Sequence, residues 1–318
     1  MILYFEKAIN LIKKSEKIAI ACHINPDADG VGSALALAKA IKNSGRSADI
    51  FSADPIGERL SLLPGSGLIG IRSHSAYDLL ILVDCNDRSR VGDAEKLAAS
   101  CKTLIIDHHR CNECKADVSV IMTDISSACE IIYMLIEEWD ERLFDKDIAE
   151  NLFAGIITDT GGFSFPAVTE RTHLAAAKLM SFGINSSGIF YEQIKKKSKN
   201  AFLLTSRVLL HAKFYSDDRI CVISFFKKDF EETGADIFDC DGVVNELLKI
   251  DCVLISVAVT EADNAYKFSI RSKDYVDARD IAATFGGGGH RHASGCKLRG
   301  CYEEVMERML KACSDRLR

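Results

Sequence analysis

The chain has 318 residues, of which 47% are hydrophobic and 27% charged, and a formal net charge of −6. That length favours two domains over one core, and the mildly negative balance excludes a broad basic surface for duplex nucleic acid or an anionic membrane. An anionic substrate must then be held by local positive charge or by metal ions.

The opening MILYFEKAINLIKKSEK reads as an amphipathic helix with no signal-peptide pattern. No apolar run approaches the roughly 20 residues of a membrane span, so a cytoplasmic protein is expected. The 12 cysteines are scattered, and Cys22, Cys129, Cys221 and Cys252 sit in apolar runs where cysteine acts as a small hydrophobe. Only Cys111 and Cys114 form a CxxC pair, with no second pair at zinc-ribbon spacing. Reduced thiols in a reducing cytosol are the expectation.

In chain order, short apolar runs predict strands over 18–23, 48–51, 79–84 and 103–107, and amphipathic patterns predict helices over 31–43, 94–99, 127–139, 145–157 and 169–182. Continuously apolar runs such as DLLILVDC and KTLIIDHH suit a parallel sheet covered on both faces. The expected fold is therefore a doubly wound α/β domain. SFGINSSG breaks the pattern, and the basic KKKSK stretch reads as a solvated helix face. Strand-like RICVISFF, DCVLISVAV and YKFSIRS follow, then helical DARDIAATF, the loop GGGGHRH and a terminal helix from Glu303. This predicts domains over 1–185 and 213–318, a helical linker over 186–212, and an active-site cleft between the domains.

In open α/β sheets, ligands bind beyond the carboxyl ends of the strands. His23, Asp27 and Asp29 follow the first strand, Asp84 ends the third, Asp107, His108 and His109 end the fourth, and Asp159 ends a helix. Taken singly, each has an ordinary reading: Asp29 caps a helix, Asp84 makes a turn, Asp159 stops a helix before glycines. Taken together, so many carboxylates on one rim repel each other and raise each other's pKa. Cations resolve this, and carboxylates with a minority of imidazoles suit Mn²⁺ or Mg²⁺ rather than structural zinc. Two ions bridged by one aspartate, roughly 3.5–4 Å apart, would clamp a displacement at phosphorus.

HINPDAD at 23–29, VDCND at 83–87, IDHH at 106–109 and TDTGGF at 158–163 resemble the four motifs of the DHH phosphoesterase superfamily. FSIRS at 268–272 and FGGGGHRHASG at 285–295 resemble its DHHA1 domain. The combination is most similar to the small bacterial group of bifunctional oligoribonucleases and pAp phosphatases. The resemblance implies that His23, Asp27 and Asp84 hold one Mn²⁺, and that Asp29, Asp84, His108 and Asp159 hold a second, with Asp84 bridging and Mg²⁺ as the alternative ion. It implies that Asp107 orients a histidine, that His109 faces the substrate phosphate, and that Asn25 touches the nucleophile or phosphate.

In the second domain, the glycines permit close approach of backbone to an anion. Gly287, Gly288 and Gly289 are expected to offer that backbone, and the resemblance implies that His290 and Arg271 grip the substrate with them. A flexible hinge is the plain alternative for GGGG, weakened by its non-linker flanks. Ser164 stands where the group often carries arginine, Arg88 is the substitute by proximity, and His292 is expected to line the loop.

The expected substrates are short oligoribonucleotides and 3′-phosphoadenosine 5′-phosphate, with cyclic or linear dinucleotides as the alternative. A homodimer is the family-level expectation. A manganese pyrophosphatase, a processive single-strand exonuclease and a non-catalytic nucleotide sensor remain as rivals. GGGGH, the short chain and the full ligand set weigh against them in that order.

Overall fold

A computed structural model describes residues 2–109, 115–240 and 242–317, with the side chains of residues 2–4 and His290 outside the description. The chain forms two compact units, Met1–Lys196 and Lys197–Arg318. The dividing point lies inside the stretch expected to be a linker.

The first unit begins with helix α1 (Ile2–Lys14) and carries one parallel sheet. Its spatial order is β2 (Ser47–Phe51), β1 (Lys17–Ala21), β3 (Leu79–Val83), β4 (Lys102–Asp107) and β5 (Val118–Ile121). Every neighbouring pair runs parallel. All five residues of β3 are buried, because layers cover both faces. Ile20, Ile81 and Ile106 face α1 together with α2 (Ala28–Asn43), α4 (Ala128–Asp140) and α5 (Lys146–Asp159), whereas Ala19, Leu80 and Ile105 face Val91 and Ala94. Each buried Leu or Ile contributes about 1.5–3 kcal/mol. Helices α3 (Glu58–Ser61), α6 (Glu170–Met180) and α7 (Ser186–Phe190) complete the unit, the last leading into a π-helical turn over Tyr191–Lys195.

Two expectations for this unit change. Helix α2 starts at Ala28 rather than at 31, because Asp27 is its N-cap. The helix expected over 94–99 belongs to a 3₁₀ stretch, Arg88–Ala99, interrupted at Gly92 with φ +57°.

In the second unit, α8 (Lys199–Leu210), α9 (Lys227–Thr233) and α10 (Val243–Leu247) cover one face of a second sheet. Helices α11 (Ala278–Ala283) and α12 (Tyr302–Ser314) cover the other. The strand order is β10 (Gly288–His290), β11 (Ala293–Leu298), β9 (Ala265–Ser272), β8 (Ile255–Ala262), β7 (Ile220–Phe225) and β6 (Lys213–Tyr215). Only the β7–β8 pair is parallel.

The glycine run is no slack hinge. Gly287 packs so tightly on Gly295 and Cys296 that a Cβ would collide with β11, and Gly289 takes φ +140° opposite Ser294, where a Cβ would meet the Ala293 carbonyl. Gly288 faces open space.

Candidate active site

The parallel sheet brings the carboxyl ends of β1, β3 and β4 side by side, and the acidic segments leave from those ends. Asp27 stands at the entry to α2, where its Oδ1 accepts the N–H groups of Asp29 at 3.1 Å and Gly30 at 3.0 Å. Such a cap is worth about 1 kcal/mol. Its other oxygen, Oδ2, lies 3.6 Å from His23 Nε2. Asp29, buried within the first turn, accepts Ala128 N at 2.7 Å and Cys129 N at 2.8 Å. The free amides that open α4 thus hold the Asp29 carboxylate, a favourable place for negative charge.

Asp84 follows β3 in a left-handed conformation, φ +50°, with its N–H donating to Ile106 O. Its two oxygens face different partners: Oδ2 is 3.3 Å from His23 Nε2, and Oδ1 is 3.5 Å from His108 Nε2. Oδ1 is buried and has no hydrogen-bond partner among the described residues. His108 Nε2 also lies 3.8 Å from Asp29 Oδ2 and 3.6 Å from Asp159 Oδ2. Three overlapping sets of donors result among the described residues, His23 with Asp27 and Asp84, Asp29 with His108 and Asp159, and Asp84 with His108 and His109, each with its ligand atoms within 4.8 Å of one another.

Asp107 is fully buried, and its Oδ1 lies 2.7 Å from His109 Nδ1, which is also 3.6 Å from Asp84 Oδ1. His23 Nδ1 lies 2.7 Å from the Ile24 carbonyl. A carbonyl only accepts, so Nδ1 carries the proton and Nε2 is the atom turned to Asp27 and Asp84.

The electrostatics call for cations. Burial and Asp84 together push Asp29 up to about 7, and burial with Asp29 pushes Asp159 well above the ordinary carboxylate value. Burial acts to raise Asp84 too, but His108 and His23 outweigh it and hold Asp84 well below the usual range. Burial disfavours charge on His23 and His108, yet the neighbouring carboxylates raise both to about 10. Protons therefore stand in for positive charge. A hard divalent ion fits the same oxygen-rich donor set, and the buried Asp84 Oδ1, which accepts no hydrogen bond among the described residues, is a ready ligand.

Asn25 lies exposed at the rim with φ +51°, its N–H donating to Asp54 Oδ2 at 2.7 Å. Ser164 donates to Gly161 O within its own turn. Arg88 is not brought to the cluster, which corrects the expectation based on proximity. Its guanidinium reaches Thr103 Oγ1 and the Lys115 carbonyl, at the amino-terminal end of β4. The guanidinium beside the cluster is that of Arg90, with Nη2 3.4 Å from His23 Nδ1. Sequence reasoning missed it because the 3₁₀ turn starting at Arg88 reverses which arginine faces β1.

In the second unit, Arg271 lies half-buried on β9 between Ser256 of β8 and Ala293 of β11. His292 sits near Ser272, with Nδ1 3.3 Å from its hydroxyl. The His290 side chain, Cys111 and Cys114 lie outside the described residues.

The DHH family N-terminal domain model matches residues 17–156, and the DHHA1 domain model matches residues 219–318. The bifunctional oligoribonuclease and PAP phosphatase NrnA of Bacillus subtilis is 28% identical over 91% of this chain and 92% of its own length. The cyclic-di-AMP phosphodiesterase PdeA of Listeria monocytogenes is 27% identical over 96% of this chain, which spans 48% of that protein. A crystal structure of an exopolyphosphatase-related protein from Bacteroides fragilis matches with a TM-score of 0.93 and 26% identity, over 98% of this chain and 96% of that one. Acidic motifs converging beyond the carboxyl ends of β1, β3 and β4, two family domains in series and these relatives lead to one conclusion: the chain belongs to the DHH/DHHA1 phosphoesterase family, hydrolases acting on phosphoester bonds.

Proposed function

We propose that the chain is a two-metal phosphoesterase of the cytoplasm that hydrolyses short oligoribonucleotides and 3′-phosphoadenosine 5′-phosphate, with Mn²⁺ preferred and Mg²⁺ as the alternative. The observation carrying this reading is Asp84, a buried carboxylate whose two oxygens face two separate groups of donors. His23, Asp27 and Asp84 would hold one ion, and Asp29, Asp84, His108 and Asp159 the other. Bound there, the ions supply a water acidic enough to ionise near neutral pH and counter-charge for the phosphoryl oxygens.

The chain's own side chains do the rest. The Ile24 carbonyl fixes the His23 tautomer, and α4 fixes Asp29. Asp107 orients the His109 ring for a phosphoryl oxygen, while Asn25 stands at the rim. Arg271, His290 and the glycines Gly287, Gly288 and Gly289 bind the remainder of the substrate, Gly288 having open space where a Cβ would stand among the described residues. The substrate class is supported by what the Bacillus subtilis relative is named for. Cleavage of a cyclic dinucleotide is the second reading, favoured by the similarity to PdeA over 96% of this chain.

A panel of 3′-phosphoadenosine 5′-phosphate, linear diadenylate, cyclic di-AMP and pyrophosphate with Mn²⁺ tests the proposal. The first two should be the best substrates. Asp84→Asn should lower kcat more than about 1,000-fold, a loss of several kcal/mol of transition-state stabilisation. Wild-type rates in that variant, or undiminished rates after chelation, would remove the two-metal reading.

A further inference from the structure

The anionic cluster and its phosphoester substrate carry the same sign. Asp27, Asp29, Asp84 and Asp159 bring up to four negative charges, which two divalent ions would only cancel. A phosphate arriving there gains from a further cation at the rim. Ser164 does not supply it, and Arg88 is engaged at the far end of β4.

Arg90 is placed to do so. It is half-buried in the turn after Asp84, and its carbonyl accepts Ile24 N at 2.6 Å, which ties that turn to the segment carrying His23 and Asn25. Its Nη1 donates to Asn86 Oδ1 at 3.3 Å. Its Nη2 lies 3.4 Å from His23 Nδ1, yet that nitrogen already spends its proton on Ile24 O at 2.7 Å. Two donors therefore face each other, an arrangement that gains nothing by itself and that an anion would satisfy. No carboxylate oxygen lies within 4.0 Å of the Arg90 guanidinium among the described residues, whereas Arg142, Arg171, Arg207, Arg219 and Arg279 each have at least one. A partly buried arginine beside the ligand His23, with no carboxylate in ion-pair reach among the described residues, is poised for a ligand rather than for an internal ion pair.

We infer that Arg90 is a substrate-binding residue that donates its guanidinium N–H groups to non-bridging oxygens of the scissile phosphate, the contact that Ser164 and Arg88 leave unfilled. This rests on the phosphoesterase reading above and assigns a new residue to it. The guanidinium fork matches a phosphate oxygen pair, and charge-assisted hydrogen bonds of this kind are the stronger ones.

The experiment measures three quantities for wild type, Arg90→Gln and Arg90→Lys. Mn²⁺ affinity and stoichiometry, and the affinity for inorganic phosphate at saturating Mn²⁺, come from calorimetry; KM and kcat come from 3′-phosphoadenosine 5′-phosphate. Arg90→Gln should bind phosphate about 10- to 100-fold more weakly, with KM raised, Mn²⁺ binding unchanged and Arg90→Lys intermediate. Unchanged phosphate affinity overturns the inference, and so does a loss confined to Mn²⁺ affinity, which would make Arg90 a support for His23. Failure of the wild type to turn over any phosphoester would instead overturn the broader proposal, because the phosphate titration still reads Arg90 directly.

Discussion

Asp27 and Asp29 stand two positions apart and do different work. Asp27 caps its own helix, whereas Asp29 collects amides from the start of a helix about a hundred residues later. The sequence makes the surplus of acid in HINPDAD visible, but the reason for Asp29 depends on a contact of long sequence separation that no local pattern encodes. The same holds for Arg90, where one turn decides between two arginines. Away from the site, Asp49 shows what a single carboxylate contributes when fully used: Oδ2 accepts Tyr77 Oη at 2.6 Å, Ser73 N at 2.6 Å and His74 N at 3.2 Å. Burial acts to raise its pKa, but these donors outweigh it and hold the carboxyl below the ordinary carboxylate range. A depressed carboxylate stabilises the fold above its unfolded pKa, and that stability disappears as pH falls through the lower folded value. Tyr77→Phe should thus cost about 1 kcal/mol at neutral pH, with the gap to wild type narrowing below pH ~4. Urea unfolding at pH 7 and pH 3 measures it, and an equal gap at both would contradict the assignment.

At the scale of elements, α2 and α5 must cross closely for Asp29 and Asp159 to reach the same histidine. Gly32 lets α2 approach Asn151 O, where a Cβ would lie at 2.5 Å, and Gly155 lets α5 approach Cys129 and the Asp29 Cα, the latter at 3.0 Å. Gly155→Ala should therefore overpack this crossing, at about 1–3 kcal/mol, and weaken Mn²⁺ binding by moving the Asp29 backbone. Gly67→Ala, with open space around it, is the control. Equal metal affinities in the two variants would mean that the crossing does not set the ligand geometry. The central strands were readable because burial on both faces leaves an unbroken apolar run. β5 was not readable: it is four residues long, and only Val120 is fully buried. β10 escaped because its glycines carry no side-chain pattern. Its pairing is legible only from β11, which needs Gly287 and Gly289 opposite its backbone.

At the scale of the molecule, no helix among the described residues is long and apolar enough to cross a membrane, and each compact unit has its own core. All the proposed metal ligands belong to the first unit. Ligand that binds only the folded state stabilises by RT ln(1 + [L]/Kd), about 2.7 kcal/mol at a hundredfold excess over Kd. Mn²⁺ should then raise the melting temperature of the first unit by roughly 5–10 °C and leave the second unit where it was. Scanning calorimetry with Mn²⁺ and with a chelator distinguishes the cases. Two transitions with only one moving is the expected result, and Asp84→Asn should abolish the movement. Two transitions that shift equally would show that the metal acts on both units. The proposed ligand set, confined to the first unit, would then be incomplete.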